Sequence, residues 1–230
     1  MGEVCEICKG STWIFYVGKD GLEYAKPCEC REKIISRNLL AASGISEEDA
    51  KKGFKGFNTF DEPALVNAKN ISIAYYQNFK EIEQNRVNSI MLCGNSGRGK
   101  TTLGLAVANN LINIGVGVRY MPYRDVVISL KQQLGHENKN LYNDQMYKLK
   151  NARVLFIDDL LKGKVNETDI NIMYEIINYR YLQRKPVIIS TEKTTEQLLE
   201  FDEAIGSRLI EMSKGYVVVF DHTTPNYRLR

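Results

Sequence analysis

"MLCGNSGRGKTTLG", residues 91–104, combines four glycines, a lysine and two threonines directly after an apolar run. So bare a backbone, next to a positive charge and a hydroxyl, suits a polyphosphate. Gly94-Asn95-Ser96-Gly97-Arg98-Gly99-Lys100-Thr101 fits G-x-x-x-x-G-K-[ST] at every fixed position, between an expected strand and an expected helix. Glycines let consecutive backbone N–H groups turn inward around phosphates, and the helix N-terminus adds positive potential. These eight residues and Thr102 are therefore the candidate nucleotide contacts. Lys100 would reach the β- and γ-phosphates, and the Thr101 hydroxyl would ligate Mg²⁺. Arg98 adds charge near the loop, and an outward, solvated pose is expected for it.

Such a loop needs a carboxylate at the end of a neighbouring strand. "VLFIDDL" supplies Asp158 and Asp159 after four apolar residues. Asp158 would hold Mg²⁺ through its water shell, and Asp159 would orient or deprotonate the attacking water. A helix N-cap is the competing role for two adjacent acids. The strand "PVIIS" ends in Ser190-Thr191-Glu192, where a polar side chain would lie near the γ-phosphate. Farther on, "EAIGSRLIEMSKG" puts Arg208 in a helix, either as a surface cation or as a finger aimed at an adjacent subunit's phosphate.

From residue 64 to 230 short apolar segments alternate with amphipathic ones. The expected order is helix 67–85, strand 89–94, helix 99–113, strand 117–123, helix 124–134, helix 142–151, strand 153–160, helix 167–183, strand 186–191, two short helices and strand 216–220. This pattern indicates a three-layer α/β domain with a parallel sheet covered on both faces. Cys93, inside one such strand, reads as a packing residue.

Four of the five cysteines lie in the first 30 residues. Cys5-x-x-Cys8 and Cys28-x-Cys30 frame an expected hairpin, "TWIFYV" turning at "GKDG" into "LEYAKP". Two close cysteine pairs on a hairpin suit tetrahedral thiolate binding of Zn²⁺, with two disulfides as the alternative. A metal is physically useful there, because 33 residues cannot bury enough core alone. Residues 1–33 are thus expected to be a zinc-binding module and 34–63 a linker. The linker begins with the helix "EKIISRNLLAAS", and Phe54, Phe57 and Phe60 pin it to the larger domain.

The composition, 43% apolar and 26% charged with net charge +3, is that of a soluble globular protein and by itself argues neither for nor against nucleic acid. No apolar run approaches a membrane span of ~20 residues, and the acidic, cysteine-bearing start does not read as a signal peptide. A cytoplasmic protein without a membrane partner is expected. Lys131, Lys148 and Lys150 lie in a basic mid-chain region that is either a solvated helix surface or a site for phosphate backbones. Tyr123 beside it is a stacking or a core residue.

"GNSGRGKTTLG", "VLFIDDL", "IIST", "IGSRLIEM" and "CEICKGSTWIF…PCECR" together resemble the DnaC/DnaI family of bacterial and phage replicative helicase loaders, within the AAA+ ATPases. The resemblance covers nearly the whole chain, with the cysteine module closest to phage-encoded members. It implies that Lys100 and Thr101 bind ATP and Mg²⁺, that Asp158 and Asp159 form the Walker B pair, and that Arg208 is the arginine finger. It also implies that the N-terminal module grips a hexameric replicative DNA helicase, that the ATPase domain contacts single-stranded DNA, and that copies assemble on the helicase. The six acidic and five basic side chains of residues 1–33 agree with a protein partner. Only 22 residues follow Arg208. A lid of four average helices needs roughly 45, so the usual AAA+ lid is not expected. Glu192 departs from the family's usual Asn, so either Thr191 takes the sensor role or hydrolysis is slow. Alternatives are an IstB-like transposition helper and an adaptor that binds ATP without hydrolysing it.

Overall fold

The computed structural model describes residues 5–42, 48, 53–134, 139–220, 224 and 226–229. Strands β1 (Trp13–Val17) and β2 (Glu23–Pro27) pair antiparallel, with Tyr16 opposite Tyr24. The turn between them is held by the Leu22 N–H donating to the Asp20 carboxylate at 3.1 Å. Helix α1 (Cys30–Ala42) starts on the fourth cysteine and runs on into the connector.

The larger unit is a five-stranded sheet of β3 (Ile90–Gly94), β4 (Val118–Pro122), β5 (Val154–Leu160), β6 (Val187–Thr191) and β7 (Val217–Phe220). Their order is β4-β5-β6-β3-β7, and every pairing is parallel. The covering helices are α2 (Pro63–Ile82), α3 (Lys100–Asn113), α4 (Tyr123–Gln132), α5 (Lys139–Asn151), α6 (Glu167–Leu182), α7 (Thr195–Phe201) and α8 (Glu203–Met212). Side chains alternate across a strand, so burying both faces demands an unbroken apolar run. Ile90, Leu92, Phe156 and Ile188 join the core under α2 and α3. Met91, Cys93, Ile157 and Ile189 join the opposite core under α4, α6 and α8. Cys93 is the packing residue expected, and burial pushes its thiol up to about 12.

Helix α1 closes an edge of the sheet. The Ser36 hydroxyl accepts from the Val118 N–H at 2.9 Å, and the Glu32 carboxylate accepts from the Gly117 N–H at 3.0 Å. These bonds satisfy N–H groups that an open edge strand would offer to another chain. Phe57 is buried and Phe54 packs edge-on against Tyr76, so the connector's aromatics lie on the larger unit.

A buried cation ties α5, α6 and β6 together. Arg180 has no exposure, and its guanidinium donates to the carbonyls of Leu149, Lys150, Ala152 and Pro186 at 3.0, 3.1, 2.9 and 2.6 Å. Most of these acceptors are at the C-terminal end of α5, where carbonyls have no helical partner and the dipole favours a cation. Burial still pulls its pKa down to about 9.

Candidate nucleotide site and cysteine cluster

Strand β3 ends at Gly94, which has φ +124° and lies so close to β7 that a Cβ there would sit 2.0 Å from the Phe220 carbonyl oxygen. Only glycine permits both the backbone turn and that approach. The loop then delivers Lys100 and Thr101 to the first turn of α3. Lys100 is 5% exposed and its Nζ donates to the Asn95 carbonyl at 2.8 Å, so the ammonium rests against its own loop. Burial lowers its pKa, opposed by the charges of Asp159 and Glu192.

Asp158 is 6% exposed and receives three hydroxyls. Thr101 donates to Oδ1 at 2.9 Å, Tyr120 donates to Oδ2 at 2.7 Å, and Ser190 also donates to Oδ1. Burial raises its pKa despite these bonds. The sheet order explains the convergence, since β6 lies between β3 and β5 and brings Ser190 beside both Asp158 and Thr101. The carboxyl ends of parallel strands, where the order reverses, are where α/β sheets place ligands. Thr101 and Asp158 fit a hydrated divalent cation, because they offer adjacent oxygen donors of the type Mg²⁺ takes.

One residue later β5 slips in register against β6, and Asp159 adopts φ +56°. Such a bulge re-aims a side chain and is found near functional sites. The Asp159 N–H donates to Ser190 Oγ at 2.8 Å, so a single hydroxyl braces both aspartates. Asp159 Oδ2 meets Lys162 Nζ at 2.9 Å, and Lys162 also meets Glu192 Oε1 at 3.2 Å. Glu192 is thus a paired carboxylate. Thr191 is fully buried; its hydroxyl donates to the Leu160 carbonyl at 3.0 Å and accepts from the Lys193 N–H at 3.2 Å. Its oxygen is spent inside the sheet, whereas Ser190 touches the acids. Sequence reasoning missed Tyr120 and Lys162, whose roles depend on which strands become neighbours.

Arg98 is turned toward the C-terminal segment, where its Nη1 donates to the Thr224 carbonyl. Arg208 lies against α6, with Nε donating to Asn178 at 3.1 Å and its guanidinium over the rings of Tyr174 and Tyr181. Lys131 pairs with the buried Asp169 at 2.7 Å, Lys148 with Asp144, and Lys150 with Glu175. These lysines are neutralised locally, which disfavours reading them as a phosphate-binding stripe. Tyr123 is buried in the core, not displayed for stacking.

The sulfurs of Cys5, Cys8, Cys28 and Cys30 lie within 4.8 Å of one another. Cys5 and Cys28 are 3.8 Å apart, and Cys8 and Cys30 3.4 Å apart. These separations are far beyond a disulfide bond. They fit a thiolate tetrahedron about Zn²⁺, whose edge is about 3.8 Å for Zn–S bonds of ~2.3 Å. The hairpin above the cluster shows Phe15, Val17 and Leu22 at 71, 66 and 61% exposure. Among the described residues no helix is long and apolar enough to cross a membrane.

The family model for IstB-like ATP binding protein matches residues 50–212. Protein YqaM of Bacillus subtilis (strain 168) is 41% identical, over all of this chain and 72% of its own length. The phage-like element PBSX protein XkdC of the same organism is 38% identical over 94% of this chain and 81% of its own. Among solved structures, the DnaC helicase loader superposes with a TM-score of 0.56 at 20% identity, over 76% of this chain and 99% of that one. The chain therefore belongs to the IstB-like ATP-binding protein family, and its larger unit shares the P-loop α/β fold of the solved DnaI and DnaC helicase loader structures.

Proposed function

We propose that the protein hydrolyses ATP to load a hexameric replicative DNA helicase onto DNA, acting in the cytoplasm with single-stranded DNA as a second partner. The observation that carries this reading is the pairing of two dissimilar features: a P-loop backed by Thr101, Asp158 and Asp159, and a cysteine hairpin that exposes the apolar side chains of Phe15, Val17 and Leu22. Large apolar side chains left exposed on so small a module suit a protein partner more than nucleic acid, which favours a loader over an IstB-like helper that organises DNA. Lys162, shared between Asp159 and Glu192, offsets part of the repulsion that would have argued for an adaptor unable to hydrolyse ATP.

In this reading Gly94 to Thr102 hold ATP and Lys100 leaves the Asn95 carbonyl for the terminal phosphates. Thr101 and Asp158 hold Mg²⁺, which neutralises phosphate charge. Asp159, braced by Ser190, orients the attacking water. Arg208 is the cation lent to a neighbouring subunit, which requires it to leave Asn178 and its two tyrosines on assembly. An arginine supplied in trans can be worth ~10³ or more in rate.

The test is ATP turnover of the full chain with and without a hexameric replicative helicase and single-stranded DNA. Turnover per subunit should rise with helicase. Lys100→Ala and Arg208→Ala should each be inactive alone and regain part of the activity when mixed, since one keeps the arginine and the other the P-loop. A mixture that stays inactive where the wild type assembles would remove the finger. No capture of helicase, together with tight binding of duplex DNA, would move the protein to the helper class.

A further inference from the structure

The loop that should cradle phosphates is covered by the protein's own C-terminal segment. Residues Tyr227–Leu229 form a short 3₁₀ turn. The Tyr227 N–H donates to the Gly97 carbonyl at 2.7 Å, and the Tyr227 hydroxyl accepts from the Asn58 N–H at 3.1 Å. Its ring stacks on Phe57, with centroids 5.0 Å apart and planes 13° from parallel, and meets Phe60 edge-on. Asn226 lies so near the loop that a Cβ on Gly97 would be 2.7 Å from its Oδ1. Arg98, of the same loop, holds the Thr224 carbonyl.

Tyr227 therefore forms a wall of the phosphate cavity, together with Ser96, Gly99, Lys100, Thr102 and Asp159. That cavity measures about 50 Å³. Pockets that enclose a drug-sized ligand run to about 300 Å³ or more, so a nucleoside triphosphate does not fit beside the tyrosine. A flat, apolar ring stacked on a phenylalanine is also what a purine base offers, and here the Tyr227 ring is what lies on the buried Phe57. These contacts of Tyr227 and Thr224 are ones that could be exchanged: the Tyr227 N–H goes to loop backbone, its hydroxyl to connector backbone, the Thr224 carbonyl to the Arg98 side chain, and the stack is with a ring that another aromatic could cover.

We propose that Tyr227 is a strap on the nucleotide site, occupying the face of Phe57 on which the base of an incoming nucleotide stacks, so that nucleotide binding displaces the C-terminal segment. This rests on the ATP-binding reading and adds a coupling to it. The segment would report the occupancy of the P-loop to the surface of the protein, because bound nucleotide and closed strap exclude each other.

The test combines hydrogen exchange and affinity on the full chain. In the wild type, adding ATP should strip protection from the amides of residues 226–229, whereas Lys100→Ala at the same ATP concentration should keep it. Tyr227→Ala should bind ATP about three- to tenfold more tightly, the fold-change worth one aromatic stack. Tyr227→Phe keeps the ring and loses only the bond from Asn58, so its gain should be about twofold, at the low end of what one hydrogen bond is worth and below that of Tyr227→Ala. The gain in Tyr227→Ala should be absent for inorganic tripolyphosphate, which has no base. A wild type that binds ATP while those amides stay protected would overturn the strap, as would a Tyr227→Ala variant that binds no tighter. An equal gain for tripolyphosphate would overturn the exchange on Phe57. Failure of both wild type and Tyr227→Ala to bind ATP would instead defeat the nucleotide reading, and the strap with it.

Discussion

The two parts of the molecule are held together by opposite means. In the hairpin of β1 and β2, nine of the ten strand residues are exposed and only Cys8 and Cys28 of the surrounding cysteines are buried. In the central strands β3 and β6 every residue is buried. A two-stranded hairpin is marginal in water by itself, whereas a sheet covered on both faces buries enough apolar surface to fold. A zinc ion on the four cysteines would do for the first part what burial does for the second.

The largest effect should come from taking that metal away. A structural Zn²⁺ in a small module is worth about 10 kcal/mol or more. Replacing Cys28 and Cys30 by Ser should release one zinc per chain, unfold the hairpin and abolish helicase capture. ATP binding should remain. Because α1 begins at Cys30 but is anchored on the sheet through Ser36 and Leu40, only its first turn should fray. Metal analysis and proteolysis would check this, and a collapse of ATP binding in the same variant would show that the two parts are not independent.

Next in size is the reverse experiment. Arg180→Met takes the donor from the carbonyls of Leu149, Lys150, Ala152 and Pro186. Removing one partner of a buried charged network costs about 3–5 kcal/mol, so the melting temperature should drop steeply while zinc content is unchanged. Arg180→Lys should not rescue it, since an ammonium has three donors and no planar fork. A small shift in melting temperature would mean that water enters to serve those carbonyls.

The smallest effect tests the polar pocket that the buried sheet supports. Burial already raises the Asp158 pKa, and the hydrogen bonds from Ser190 and Tyr120 hold it down. Removing the Tyr120 hydroxyl in Tyr120→Phe should raise it further. Protonation then begins at higher pH, and Mg²⁺ requires the carboxylate. The acid limb of Mg²⁺-dependent turnover should therefore move to higher pH, with little change at neutral pH. An unmoved acid limb would mean that another group controls it.

Tyr120 and Ser190 also mark where the sequence ceased to be informative. The P-loop was legible because its residues are contiguous and each is required by backbone geometry. The two aspartates were legible as acids ending an apolar strand. What braces them was not, because Ser190 and Tyr120 come from strands that reach β5 only through the order β4-β5-β6-β3-β7. Glu192 read in isolation was a repulsive charge near phosphate; the bulge of β5 brings Lys162 to it. The mid-chain lysines read as either a solvated helix surface or a site for phosphate backbones; Asp144 on α5 pairs with Lys148 locally, while α6 supplies Asp169 and Glu175 to Lys131 and Lys150 from farther along the chain.

The chain's one-dimensional order thus determined what depends on neighbours in sequence: unbroken apolar strands for a two-sided sheet, the glycine-rich turn before a helix, and paired cysteines on a hairpin. The tertiary structure alone decided what depends on distance through space: which hydroxyls serve Asp158, which charges cancel, and which segment covers the P-loop. The reason is physical. Backbone conformation is set by interactions a few residues apart, whereas the partner of a buried polar group is whatever packing brings within about 3 Å of it.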